Sequence, residues 1–254
     1  MGARTSTGAL HAIGDGMARV AAAPAILVGS IAVVLLYAPG DADLRHGVGA
    51  LLISTFLFGG ILDRYARRRP TRARGCFAAC GGHFGAILRT WLIVCLVLLL
   101  FHAIVGRAFE NDYVHEGGFL LGVLIAAIVL FAQVRIAVED RRSAIGAWLA
   151  GGRFLFRNPA AAGIVVLFVA AEILSTLAYE RVLARSGVTG TAAWLLTDAW
   201  VAAETFLVLA TLASGISLFQ ARLAHAGYTA APQATWPDSP AAEAIGSAPP
   251  TWTS

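Results

Sequence analysis

Six apolar stretches separated by short polar loops organise this chain. They cover residues 20–38, 47–62, 85–106, 118–137, 160–180 and 193–221. About 20 apolar residues in helical form cross the hydrocarbon core of a bilayer. Each stretch is expected as a helix, because an open strand edge would leave backbone groups unsatisfied in lipid. Short loops favour antiparallel neighbours. The pattern predicts an all-α polytopic membrane protein of six transmembrane helices, with one membrane domain over 20–222.

The ends of the chain read differently. Residues 1–19 are polar and Gly-rich, with Arg4, Asp15 and Arg19. The apolar run that follows is longer than the 7–15 residues of a signal-peptide core, so it is expected as a retained helix despite small residues at Ala38 and Ala42. Pro24 falls in its first turn, where a missing N–H costs little. Residues 223–254 hold Pro232, Pro237, Pro240, Pro249 and Pro250 and lack apolar periodicity. They are expected to form a disordered tail.

Composition agrees with a lipid solvent. The chain is 58% hydrophobic and 13% charged. A soluble domain averages about 45–50% apolar and about 25% charged. All nineteen basic residues are arginine. With no lysine, a retinal Schiff base or a lysine-dependent catalyst is excluded. Three cysteines, Cys76, Cys80 and Cys95, argue against a disulfide framework.

Arginine placement sets an expected orientation. Arg64, Arg67, Arg68, Arg69, Arg72 and Arg74 follow the second stretch, and Arg135, Arg141, Arg142, Arg153 and Arg157 follow the fourth. The alternate loops hold only Arg45, Arg107, Arg181 and Arg185. Positive residues stay inside, so the richer side is expected in the cytoplasm of a bacterial inner membrane, together with both termini.

Two basic segments point to lipid. Residues 138–159 read as an interfacial amphipathic helix between the fourth and fifth spans, capped by Asp140 and stopped by Asn158 and Pro159. At 100° per residue Arg142, Gly146, Arg153 and Arg157 share one face, with Ala144, Ile145, Trp148 and Leu155 opposite. The 64–74 run is polybasic and juxtamembrane. Arg64, Arg67, Arg68, Arg69, Arg142, Arg153 and Arg157 are therefore candidate contacts to anionic headgroups. Their plainer role is to fix topology and anchor two spans. Aromatics are not interleaved at base-stacking spacing, so nucleic acid is not expected as a partner. A membrane-protein partner or a second copy is.

Chemistry-bearing residues are sparse. Cys76, Cys80 and His83 fall at i, i+4 and i+7, one side of a helix, but no fourth ligand is evident, so thiol packing is expected rather than a metal. No cofactor and no catalytic constellation are expected. The acids inside spans are the sharpest signal. Glu172 shares a face with Thr176 and Tyr179, and Glu204 with Thr197 and Thr211. A charge at the bilayer centre costs a few kcal/mol or more, so such groups face the bundle interior and find partners. They serve either as helix glue or as protonatable groups in a translocation path. Asp198, His102 and Arg107 lie nearer the outer surface and are candidates for a polar cluster there.

Residues 134–159 and 59–69, with six spans, resemble a family of uncharacterised bacterial inner-membrane proteins. They are more distantly similar to the membrane domain attached to some glycerophosphodiester phosphodiesterases. The resemblance implies the architecture and no catalytic residue. The expected role is a non-catalytic scaffold or accessory protein. The alternative is a small transporter or channel using Glu172 and Glu204.

Overall fold

Helices account for every element among the described residues. A computed structural model describes residues 3–37, 44–68, 72–105, 112–187 and 189–223. In order they are α1 (Ala3–Ala21), α2 (Pro24–Tyr37), α3 (Leu44–Arg67), α4 (Ala73–Val105), α5 (Asp112–Glu139), α6 (Ala144–Arg157), α7 (Pro159–Ser186) and α8 (Thr191–Arg222). Arg69, Arg107 and the tail after residue 223 lie outside the described residues, as do the side chains of His102 and Arg45.

Four helical segments are long and apolar enough to cross a membrane: Ala73–Phe101, Gly118–Glu139, Pro159–Ser186 and Thr191–Arg222. A fifth candidate exists if α1 and α2 are one broken span, for they meet at an 80° bend. The bend falls at Ala22 and Ala23, just before Pro24. Proline disfavours helical geometry in the residue before it and removes an N–H. The 20–38 stretch is therefore not one straight helix. The described part of α2, 14 residues, is about 21 Å long. α3 is not among these candidates within the described residues, although its sequence from Gly47 to Leu62 is an apolar run. Among the described residues the count of candidate spans is four or five.

Two helices exceed the sequence pattern. Residues 3–21 are helical, not merely polar, and Ala12, Gly16, Arg19, Val20 and Ala23 form a buried stripe at helical spacing. α4 begins at Ala73, a dozen residues before its apolar run, so Cys76, Cys80 and His83 belong to that helix.

α8 is the centre of the packing. Every residue from Leu212 to Gln220 is buried, beneath α1, α2, α3 and α5. Around this core the outer helix faces carry exposed leucines, such as Leu92, Leu99, Leu120, Leu167, Leu174 and Leu195. An apolar exterior of that extent suits a surface that faces lipid. These features fit an integral membrane protein.

α6 lies between α5 and α7 as the pattern predicts, but its faces differ. Ser143, not Asp140, is the N-cap, and its Oγ accepts from Gly146 N at 3.2 Å. Asp140 instead follows α5 in a left-handed conformation, φ 52°. The helix has three sides rather than two. Ala144, Ala147, Gly151, Phe154 and Leu155 are buried against the bundle. Ile145, Leu149 and Phe156 are exposed. Arg153 and Arg157 are exposed on the third side. Phe154 sits between Phe131 of α5 and Phe219 of α8, both at 5.0 Å between centroids. Such pairs contribute about 0.5–1.5 kcal/mol each beyond their buried area. Asn158 and Pro159 occupy the first positions of α7 as expected, but the Asn158 amide donates back to Phe154 O at 2.8 Å.

Candidate functional site

The arginine-rich end of the bundle is a polar layer built on the last turn of α3. A helix leaves its final carbonyls without intrahelical partners. Here side chains from two other helices supply the donors. Arg19 Nη1 of α1 donates to Tyr65 O at 2.6 Å, and Gln220 Nε2 of α8 donates to Ala66 O at 2.8 Å. The two caps are joined, because Arg19 Nη1 also donates to Gln220 Oε1 at 3.0 Å. Arg19 Nε meets Asp15 at 2.9 Å, and Asp15 accepts from Arg68 at 2.7 Å. A guanidinium at a helix C-terminus also complements the helix dipole.

The layer continues across α3 to α4 and α5. Arg67 Nε donates to Asp63 at 2.5 Å, and its Nη2 reaches both Asp140 oxygens at 3.0 and 2.9 Å. His83 Nε2 stands 3.9 Å from Asp63 and 3.8 Å from Asp140. Burial pushes the Asp63 carboxyl up, but His83 and the Arg67 guanidinium pull harder and hold it below its ordinary 3.8. On α5, Glu139 accepts from Arg135 at 2.7 Å and from Arg141 at 3.3 Å.

This divides the candidate lipid arginines. Arg67 and Arg68 are tied to carboxylates inside the protein. Arg64 reaches Ala22 O at 3.4 Å. Arg142, Arg153 and Arg157 are exposed and make no ion pair among the described residues.

The thiols pack as small side chains. Cys76 and Cys80 lie against Gly60 of α3, and Cys80 Sγ is 3.8 Å from Leu57 O. Among the described residues no three His, Cys, Asp or Glu side chains gather closely enough to hold a metal ion.

A cavity of about 430 Å³ opens between α3, α4, α5, α7 and α8. Its wall is almost wholly apolar, with Trp91 of α4 and Phe168 of α7 among its side chains. Three polar residues reach it: Gln133, Glu172 and Thr211. Thr211 Oγ1 is spent on Leu207 O at 2.8 Å. Gln133 is only 2% exposed, and its Nε2 has no hydrogen-bond partner. Glu172 makes no hydrogen bond to a described residue.

Glu204 does not line the cavity, although it and Glu172 act on one another electrostatically. Its Oε1 is buried without a partner. The hydrogen bond joining α7 to α8 comes instead from Tyr179 OH and Thr197 Oγ1, 3.0 Å apart. Thr197 already donates to Ala193 O, so Tyr179 is the donor. Tyr179 also stacks on Trp200 at 4.6 Å. Asp198 is half-buried and pairs with no described residue, so the expected cluster with His102 and Arg107 falls outside what is described.

Sequence reasoning missed Gln133, Asp15–Arg19, Asp63 and Gln220. Gln133 had a signal, since it is the one polar side chain in the apolar run from Phe119 to Val134. Asp15 and Arg19 had one too, as an i, i+4 pair. Gln220 had none. In comparisons with known proteins, no family model, curated protein or solved structure matches this chain.

Proposed function

We propose that this chain is a multi-pass protein of a bacterial inner membrane with a non-catalytic scaffold or accessory role. In this reading it has six spans, with α2 and α3 taking the first two. Both termini and the arginine-rich end face the cytoplasm, an orientation supported by the excess of arginine there. The observation that carries the role is the polar layer. Arg19, Arg67 and Gln220 tie the ends of α1, α3, α5 and α8 into one platform. Beside it Arg142, Arg153 and Arg157 point outward, available to anionic headgroups or to an acidic partner.

The test has two parts. Reporter fusions near Arg72 and after residue 223 must both read as cytoplasmic. A photocrosslinker at position 72 or 142 must then capture a discrete protein species in intact cells. That species must disappear when Arg67→Glu breaks the platform. Crosslinks to lipid alone would overturn the scaffold role.

One observation favours a second reading, transport. Glu172 faces a cavity within the bundle and has a second acid, Glu204, as a neighbour. Proton-coupled flux in proteoliposomes, abolished by Glu172→Gln with folding unchanged, would establish it over the scaffold.

A further inference from the structure

The cavity holds two polar groups that the protein leaves unanswered. Gln133 is fully enclosed, yet its amide nitrogen has no acceptor. An unpaired buried amide donor costs about 1–3 kcal/mol, so a native structure rarely keeps one without cause. Glu172 is a carboxyl on the same wall, and no arginine or histidine lines the cavity with it. Acids within a bundle pair with a base or line a pathway. Here the neighbour is a second acid, Glu204, rather than a base. The space is thus complementary to a cation, not an anion.

The spacing sets the shape of the occupant. Glu172 stands 13 residues into α7, and Gln133 lies six residues before the end of α5. α8 relates their depths, because its Gly215 packs on Leu130 of α5 and its Thr197 meets Tyr179 of α7; Glu172 and Gln133 then stand about 14 residues, roughly 20 Å, apart along the bundle axis. Apolar side chains line the interval on α5 and α7. A volume of about 430 Å³ is within the range of small-molecule sites.

We propose that this cavity binds an elongated lipophilic amine. Its ammonium group rests against Glu172, its hydrocarbon chain fills the apolar interval, and an acceptor at its far end takes the Gln133 N–H. Binding of this kind serves a regulated scaffold as well as a transporter, so it does not depend on either.

The test uses the full chain in nanodiscs and three ligands. One is the methyl ester of ω-aminohexadecanoate, which has both groups at that spacing. Hexadecylamine lacks the acceptor, and methyl hexadecanoate lacks the cation. Gly122→Leu supplies the background, because Gly122 lines the cavity and a Cβ there meets nothing within 4 Å. The amino ester should bind saturably and most tightly, with hexadecylamine next and methyl hexadecanoate last. Glu172→Gln should weaken both amines by on the order of ten-fold and leave methyl hexadecanoate unchanged. Gln133→Leu should erase the advantage of the ester over hexadecylamine. Equal affinity of wild type for methyl hexadecanoate and the amines would overturn the proposal, whatever the variants do. So would unchanged binding in Gly122→Leu, which would mean partition into lipid only.

Discussion

Gly16 of α1 and Ser214 of α8 meet backbone to backbone. A Cβ on Gly16 would lie 2.5 Å from the Ser214 nitrogen and 2.7 Å from its Cα, closer than side chains tolerate. Only glycine lets α1 settle onto the buried half of α8, and the packing of Ala12 and Val20 follows from it. Gly16→Ala must push α1 away. Overpacking typically costs about 1–3 kcal/mol, and a backbone neighbour cannot rotate aside. The thermal midpoint of the detergent-purified variant should fall clearly, whereas Gly14→Ala, where nothing lies within 4 Å, should match or exceed wild type. Equal midpoints would show that α1 is not seated this way.

Arg19 holds three partners at once and its side chain is 7% exposed. Arg19→Met keeps most of the volume but uncaps Tyr65 O and leaves Gln220 Oε1 without its donor. Loss of a buried charged partner costs about 3–5 kcal/mol. Gln220→Leu uncaps only Ala66 O and should cost less. The two sites share one network, so the double variant should lose less than the sum of the singles. Additive losses in denaturant titration would show that the caps act independently.

Asp63 makes the platform acid-sensitive. Its folded pKa lies below the ordinary 3.8, so its stabilisation is complete above that value. As pH falls through the lower folded value, Asp63 takes up a proton and the contribution is lost. Stability should therefore be level with respect to this group from pH 7 to about 5 and drop below about 4. Asp63→Asn should be less stable at neutral pH and show a shallower acid limb. An identical acid limb in the variant would remove Asp63 from the account.

Much of this fold was legible because lipid imposes a coarse rule. The long apolar runs at 85–106, 118–137, 160–180 and 193–221 map onto α4, α5, α7 and α8. α6 was legible as a separate helix because Pro159 stops it and its arginines recur on one side. Where the rule failed, a tertiary contact decided. α1 looks merely polar in sequence, yet its small residues fit α8. Asp140 has the chemistry of an N-cap, but the turn after α5 took it and left the cap to Ser143. The acids were found by the expectation that intramembrane charge is meaningful. That Glu172 faces a cavity while Glu204 does not depends on helix rotation, which no spacing reveals.

Lipid binding should separate the arginines that sequence grouped together. Arg153 and Arg157 are exposed beside an apolar groove on α6 lined by Trp148 and Phe156. Each arginine at an anionic surface contributes about 1 kcal/mol. Replacing both by glutamine should lower the number of anionic phospholipids retained in native mass spectrometry and leave the thermal midpoint near wild type. Arg67→Gln should do the opposite, lowering the midpoint with little change in retained lipid, because its charge is already met by Asp63 and Asp140. The reverse pattern would mean that the platform, not α6, is the lipid contact.

Asp140 carries two opposed effects, and substitution can part them. Its backbone is left-handed at φ 52°, a conformation costing about 1–2 kcal/mol for a residue with a Cβ. In return its carboxylate accepts Arg67, but the side chain is 62% exposed, where an ion pair contributes about 0.2–1 kcal/mol. Asp140→Ala loses the pair and keeps the strain, so it should destabilise. Asp140→Gly loses the pair but relieves the strain, offset in part by a freer unfolded chain. The glycine variant should therefore unfold at or above the midpoint of the alanine variant and close to wild type. Equal destabilisation by the two would mean that the Arg67 contact, rather than the turn after α5, sets the value of this position.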